Sequence, residues 1–480
     1  LLKVIGWKLR SSKILRGLDM SVETNSLESM CELIVDCPHS TPKWTDEGMI
    51  VLRNQNIRNG QLDLSSPSFT DTAGYQSRIK RAVPQAGDIV FTREAPMGEV
   101  CLIPEGLTCC LGQRQVLLRP KKSVNGRYLY WALQSPFVQH QISWNEGTGT
   151  TVSNVRIPTL KSLEIPRREP HEAKIADTLG SLADKIQMNH RINQTLEQIA
   201  QAIFKSWFVD FEPVKAKHAA LEAGGSEEDA LLAAMQAISG KVEMELLRLQ
   251  AEQPEHYAEL RNTAELFPSA MQDSELEEIP EGWNVSQIGD EVTVVGGGTP
   301  STKNRDFWEG GKIHWTTPKD LSGLNDKVLI DTERKITSAG LTKISSGLLP
   351  VDTVLMSSRA PVGYLALAKT PVAVNQGYIA MKCDKSLSPE FVLQWCVSRM
   401  NEIEGRASGT TFAEISKKSF KVIPVAVPQE DLINSYTKIA KSIYKNIEIS
   451  ARESGSLANL RDTLLPQLLT DSCLIDIMEA

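Results

Sequence analysis

The sequence predicts an α+β fold: two globular, mixed α/β domains made by tandem duplication and separated by two long helices. Three observations predict it. Short motifs recur in the same order about 260 residues downstream. Each copy opens with short β-rich runs between Gly, Pro and Asn turns. Each copy then closes with a helix whose seam positions recur every 3.5 residues.

The repeat fixes the organisation. Thr41-Pro42 returns as Thr299-Pro300, an offset of 258. Ala95-Pro96-Met97-Gly98 returns as Ala360-Pro361-Val362-Gly363, an offset of 265. Gln113 parallels Gln376, and Gly149-Thr150-Thr151 parallels Gly409-Thr410-Thr411. Ile165-Pro166 with Pro170 parallels Ile423-Pro424 with Pro428. One such match is noise, but five in one order at a near-constant offset are a duplication.

Residues 1–20 are set apart as a leader, with Met20 fitting a translation start. Residues 21–170 form the first domain. Strands are expected at 89–92, 100–103 and 116–118, then a Trp-bearing helix at 128–134. A long helix follows over 171–209. Residues 210–280, rich in Ala and Glu, read as a helical or partly disordered connector. The second domain spans 281–428, with strands at 354–356, 364–368 and 378–381 and a helix at 391–397. The second long helix takes 429–470, and 471–480 form a tail.

The seam of the first helix is Ile175, Leu179, Leu182, Ile186, Asn189, Asn193, Leu196, Ala200, Ile203 and Trp207. That of the second is Leu432, Tyr436, Ile439, Ile443, Asn446, Ser450, Glu453, Leu457, Leu460 and Leu464. Every position matches at an offset of 257, and both seams turn polar at the centre. A polar seam residue costs stability and fixes register. The pattern points to pairing of the two helices and leaves their orientation open.

Composition excludes several classes. Of 480 residues, 41% are hydrophobic and 23% charged, which rules out collagen, wholesale disorder and a membrane bundle. No apolar run reaches 18 residues, so no membrane span is expected. Eight Cys form no C-x-x-C and read as reduced cytosolic thiols, placing the protein in the cytoplasm. The net charge is −7, but residues 210–280 alone hold 16 acidic and 5 basic residues. The rest of the chain is left at +4, the value carried by residues 1–20 (five basic, one acidic). The two domains are near neutral, so DNA affinity would have to come from local patches or from partners.

No phosphate loop, H-E-x-x-H or G-x-S-x-G motif occurs, and no metal-binding constellation stands out. Gly296-Gly297-Gly298 lacks the spacing of a phosphate cradle. The loops instead carry side chains that pair with base edges. Arg53, Asn54, Gln55 and Asn56 stand in a row, and Arg with guanine or Gln/Asn with adenine pair bidentately in the major groove. Arg93 and Ser357, Ser358 and Arg359 precede the two Ala-Pro-x-Gly turns. Gln113 and Arg114 match Asn375 and Gln376. Thr41, Thr150, Thr151, Thr299, Ser301, Thr410 and Thr411 add hydroxyls. Lys43, Lys303, Lys319, Lys417 and Lys418 are candidates for phosphates.

Together these features resemble the specificity (S) subunits, HsdS, of Type I restriction–modification systems. The resemblance covers roughly 21–209 and 281–470. It includes the phrases Lys205-Ser206-Trp207-Phe208-Val209-Asp210-Phe211 and Ile279-Pro280-Glu281-Gly282-Trp283. It implies that each domain is a target recognition domain reading half of a bipartite site in double-stranded DNA. It implies that the long helices pair as an antiparallel coiled coil and help bind methyltransferase (M) subunits, with restriction (R) subunits joining the complex. Catalysis would belong to those partners, using S-adenosylmethionine, ATP and Mg, with no cofactor in this chain and no membrane. The acidic 210–280 segment departs from a simple connector.

Geometry then suggests a mechanism. Ile175 to Trp207 spans 32 residue steps, roughly 48 Å, against about 34 Å per turn of DNA. Two reading heads so spaced would leave the base pairs between them unread, and a partner could flip an adenine within each half. Three other readings stay open at this point. One is an autonomous restriction enzyme, one a two-headed carbohydrate- or protein-binding adaptor on a coiled-coil hinge, and one a scaffold without a ligand.

Overall fold

A computed structural model describes residues 23–144, 154–409 and 413–470. Thr150, Thr151, Thr410 and Thr411 lie outside the described residues, as do the leader and the tail. Contacts divide the chain into two units. One comprises the described residues up to Ile186 and from Ser456 on, the other Gln187–Gly455.

In the first unit, four antiparallel strands form one sheet in the order Cys31–Asp36, Gln115–Pro120, Ile89–Thr92, Val100–Leu102. Ile89–Thr92 is buried at every position, hence its unbroken apolar run rather than an alternation. A second sheet has the order Cys109–Leu111, Met49–Leu52, Ser68–Thr70, Trp44–Thr45, with its first pair parallel. Thr24–Ser26 pairs with Glu164–Pro166. Helix Gly126–Gln134 covers the four-stranded antiparallel sheet and is capped by Asn125, whose side chain accepts from Tyr128 N.

The second domain repeats this topology, with one strand more in its first sheet and one fewer in its second. Thr293–Val295, Tyr378–Lys382, Val354–Ser358 and Val362–Ala368 lie in the matching order, with Val328–Leu329 added at the edge. Val372–Val374, Ile313–Thr316 and Arg334–Ile336 form the second sheet, again with its first pair parallel. Asn284–Gln287 pairs with Pro424–Val427. Helix Pro389–Ser398 is capped by Ser388 and has Pro at its first position, where the missing N–H costs nothing. Both Ala-Pro bonds of the repeat, Ala95-Pro96 and Ala360-Pro361, are cis.

The long helices span Glu172–Phe208 and Glu430–Thr470. Within the second unit they run antiparallel. Asn189 meets Ser450 and Glu453, Asn193 meets Ile447, Glu197 meets Tyr444, and Phe204 meets Tyr436. Within the first unit, Ile175, Ala176 and Leu179 share a core with Leu465, Leu468 and Leu469. Arg168 Nε donates to the Leu469 carbonyl at 2.8 Å. Trp207 is buried edge-on to Phe267 (5.2 Å between centroids), and its truncation to Ala would cost about 3–5 kcal/mol.

The first seam is buried or half-buried at every expected position. The second needs correction. Beyond Tyr436 the buried face is Ala440, Tyr444, Ile447 and Ser454, while Ile439, Asn446 and Leu460 are exposed. The face has slipped by one residue because Tyr436, Ala440 and Tyr444 follow two steps of four. At these levels the helix packs on its own domain (Phe391, Gln394) as well as on its partner helix, so its buried stripe is wider than a two-helix seam.

The acidic connector is folded, not partly disordered. Helices Glu212–Glu222, Glu227–Ser239, Glu243–Glu252 and Pro254–Glu265 include a small core of Leu231, Ala234, Met235, Leu246 and Ala264. A hairpin, Met271–Ser274 with Glu277–Pro280, leads into the second domain.

Candidate nucleic-acid interface

In the first domain four strands end at one edge: at Asp36, Leu52, Thr92 and Leu111. The loops that follow bind one another. Gly112 N donates to the Leu52 carbonyl (2.8 Å) and Arg93 N to the Arg114 carbonyl (2.9 Å). The Asn54 amide donates to the Glu94 carbonyl, and Arg114 pairs with Glu94 at 3.1 Å. Gln113 Nε2 donates to the His39 carbonyl (2.5 Å) and the Thr41 hydroxyl (3.4 Å). Arg78, buried, holds the 38–40 loop through the Pro38 and Ser40 carbonyls.

The second domain builds the same edge at Val295, Thr316, Ser358 and Val374. Asn375 N donates to the Thr316 carbonyl (3.1 Å), the counterpart of the Gly112 bond. Thr299 Oγ1 donates to Gln376 Oε1 at 2.7 Å. So the Thr-Pro and Gln stations, far apart in sequence, stand side by side in both copies. The glycine run has a steric role here: a Cβ on Gly297 would sit 1.8 Å from the Val374 carbonyl oxygen. Close backbone approach explains that residue, with no phosphate cradle required.

The structure sorts the other expected residues. Arg53 and Gln55 are exposed, and Asn54 is half-buried. The Arg53 guanidinium lies 5.1 Å from the ring centroid of Trp44, itself 45% exposed. Sequence reasoning missed Trp44, which opens the two-residue strand Trp44–Thr45, too short for an alternation that would signal its exposure. Lys43 pairs with Asp71 and Lys319 with Glu333, each at 2.9 Å. Those bonds raise both lysine pKa values and lower that of Asp71. Arg359 faces Glu414 at 3.6 Å. Thr299, Ser301, Lys303, Gln376, Lys417 and Lys418 are exposed.

Four expected base readers are engaged inside the protein. Arg93 is spent on Asp36 (2.8 Å), the Val155 carbonyl and Asn154. Asn56 is buried and bonds the Arg53 N–H and the Asp63 carbonyl. Ser357, fully buried, donates to the Pro361 carbonyl and accepts from Tyr364 N. Thr92 makes the same pair of bonds to Pro96 and Glu99 in the first copy. Ser358 is buried beside Glu414. These four shape the loops rather than present groups outward.

Comparison with known proteins shows what the chain is similar to. A profile of the Type I restriction modification DNA specificity domain matches residues 21–198 and 280–454. The HindI specificity subunit of Haemophilus influenzae is 37% identical over 316 residues, covering 64% of this chain and 68% of that one. The MjaIX specificity subunit of Methanocaldococcus jannaschii is 33% identical over 167 residues, covering 34% and 38%. The solved S subunit from M. genitalium aligns over 94% of this chain and 96% of its own, at 17% identity and a TM-score of 0.49.

Proposed function

The chain belongs to the Type I restriction–modification specificity subunit family, and from that premise we propose that its two domains each read one half of a bipartite DNA target. As a family member it is the DNA-recognition component, itself non-catalytic, that directs methylation and cleavage by partner subunits. No helix among the described residues is long and apolar enough to cross a membrane. The finer picture is part of the proposal. Partner M subunits would methylate adenine with S-adenosylmethionine, and R subunits would act with ATP and Mg, in the cytoplasm.

The observation that carries the two-half reading is the duplicated loop edge. The same strand ends, the same Ala-Pro turn and the same Thr–Gln pair occur twice in one chain. In the first half the proposed readers are Thr41, Arg53, Asn54, Gln55, Gln113 and Arg114, with Lys43 on phosphate. In the second they are Thr299, Ser301, Arg359 and Gln376, with Lys303 and Lys319 on phosphate. Thr150, Thr151, Thr410 and Thr411 join them on sequence grounds alone. Side chains around each pair differ between copies, which supports two different half-sites.

The experiment is a map of modified bases in cells carrying the partner subunits, with and without this chain. A two-part motif with an unread gap, present only with the chain, is expected. A contiguous motif, or modification independent of the chain, would overturn the reading. The adaptor alternative predicts no salt-sensitive duplex binding.

A further inference from the structure

The phrase Trp207-Phe208-Val209-Asp210-Phe211 is not used by the DNA-reading edge. In the structure its Phe208, Val209 and Phe211 help wall an open groove of about 650 Å³ within the second unit. Phe204, Phe208 and Phe211 line it from the end of the first long helix, and Phe391 and Trp395 from the second domain. The opposite wall is the hairpin 271–280, whose turn brings Glu275, Glu277 and Glu278 to the rim. All three carboxylates are exposed, and none has an ion-pair partner among the described residues. Lys215 and Arg399 also line the groove, but Arg399 faces Glu402 at 3.7 Å. Val209 stands 42% exposed at the mouth.

We infer that this groove docks a segment of a partner protein, an apolar side chain flanked by Lys or Arg, and that the segment belongs to the methyltransferase subunit. Three points on the structure support it. An aromatic floor with a polar rim is the anatomy of a protein-docking pocket. A rim of three unpaired carboxylates repels phosphates and attracts basic side chains, so DNA is the wrong occupant. The DNA specificity profile stops at 198 and resumes at 280, so the helix end and the acidic hairpin turn that wall the groove fall between the matched stretches, while Phe391 and Trp395 fall within the second. The inference rests on the proposed function, because it takes its partner from there.

The test titrates the full-length chain with the purified methyltransferase subunit of its own system. Two doubly substituted chains carry the same change of charge. Glu275→Lys with Glu278→Lys alters the rim, and Glu243→Lys with Glu255→Lys alters exposed sites on the acidic helices. Rim reversal is expected to weaken binding at least tenfold with no change in melting temperature, and the control pair less than twofold. Unchanged binding by the rim variant overturns the inference, and so does equal weakening by both pairs. A rim variant that gains duplex affinity beyond the control while binding the methyltransferase normally would mark a nucleic-acid surface instead, and also overturns it. Failure of the wild-type chain to bind the methyltransferase at all would strike the family-level function, a separate result.

Discussion

The side-chain amide of Asn189 donates to the Glu453 carboxylate at 2.8 Å, joining the two long helices at their polar layer. The same amide reaches the Ser450 carbonyl and the Ser454 hydroxyl at 3.3 Å. Asn189→Ala would leave Ser454 with its bond to Ser450 and remove the rest. A loss of about 1 kcal/mol is expected, because Glu453 is solvent-exposed. The denaturant midpoint measures it, and an unshifted midpoint would mean that the layer adds no stability.

Glu197 makes the second test. Burial disfavours its charged form, but Lys327 at 2.9 Å and hydrogen bonds from Gln201 and Tyr444 outweigh that and hold its pKa below the ordinary carboxylate value. A depressed folded pKa means stability present above the unfolded value, near 4.3, and lost as pH falls through the folded one. Glu197→Gln should cost about 3 kcal/mol at pH 7 by leaving Lys327 unpaired. It should also flatten the acid limb of the stability curve. Parallel acid limbs in variant and wild type would contradict this.

The Thr–Gln pairs predict separable specificity. Gln376→Ala should relax base preference at one position of the second half-site by about 1–3 kcal/mol, and leave the first half-site intact. Gln113→Ala should do the converse. Methylation maps of the two variants decide it. Changes in both halves from either substitution would defeat the division of labour.

Helix length carries a fourth expectation. One extra heptad in the first long helix, matched by one in the second, should widen the unread gap and preserve both half-sites. An altered half-site with an unchanged gap would refute it. The same methylation map reads out the result.

Much of this architecture is legible in the residue string, and the failures have physical causes. The strand at 89–92 and both long helices stand where apolar runs and periodicity put them, and the strand expected at 354–356 runs on to Ser358. The second seam was misread because Tyr436, Ala440 and Tyr444 serve a helix packed on two neighbours at once. Arg93 looked like a reader because its partner Asp36 lies 57 residues away. The repeat found Thr299 and Gln376 separately, while only the fold shows that they touch. Charge suggested a loose connector, yet Leu231, Ala234, Met235 and Ile238 already had the spacing of a helix with a packed face.

The pairing of the long helices has a consequence for how the chain is strung together. The offset of 257 carries Asn189 to Asn446 and Ser450 back to Asn193, so exchanging the copies turns the Asn189–Ser450 level into an Asn446–Asn193 level, one residue away from the Ile447 carbonyl that Asn193 meets. Swapping the two copies therefore maps this junction onto itself to within one residue. A gene that exchanged the two halves would bring the same two helices together antiparallel, with their polar layer displaced by a single residue.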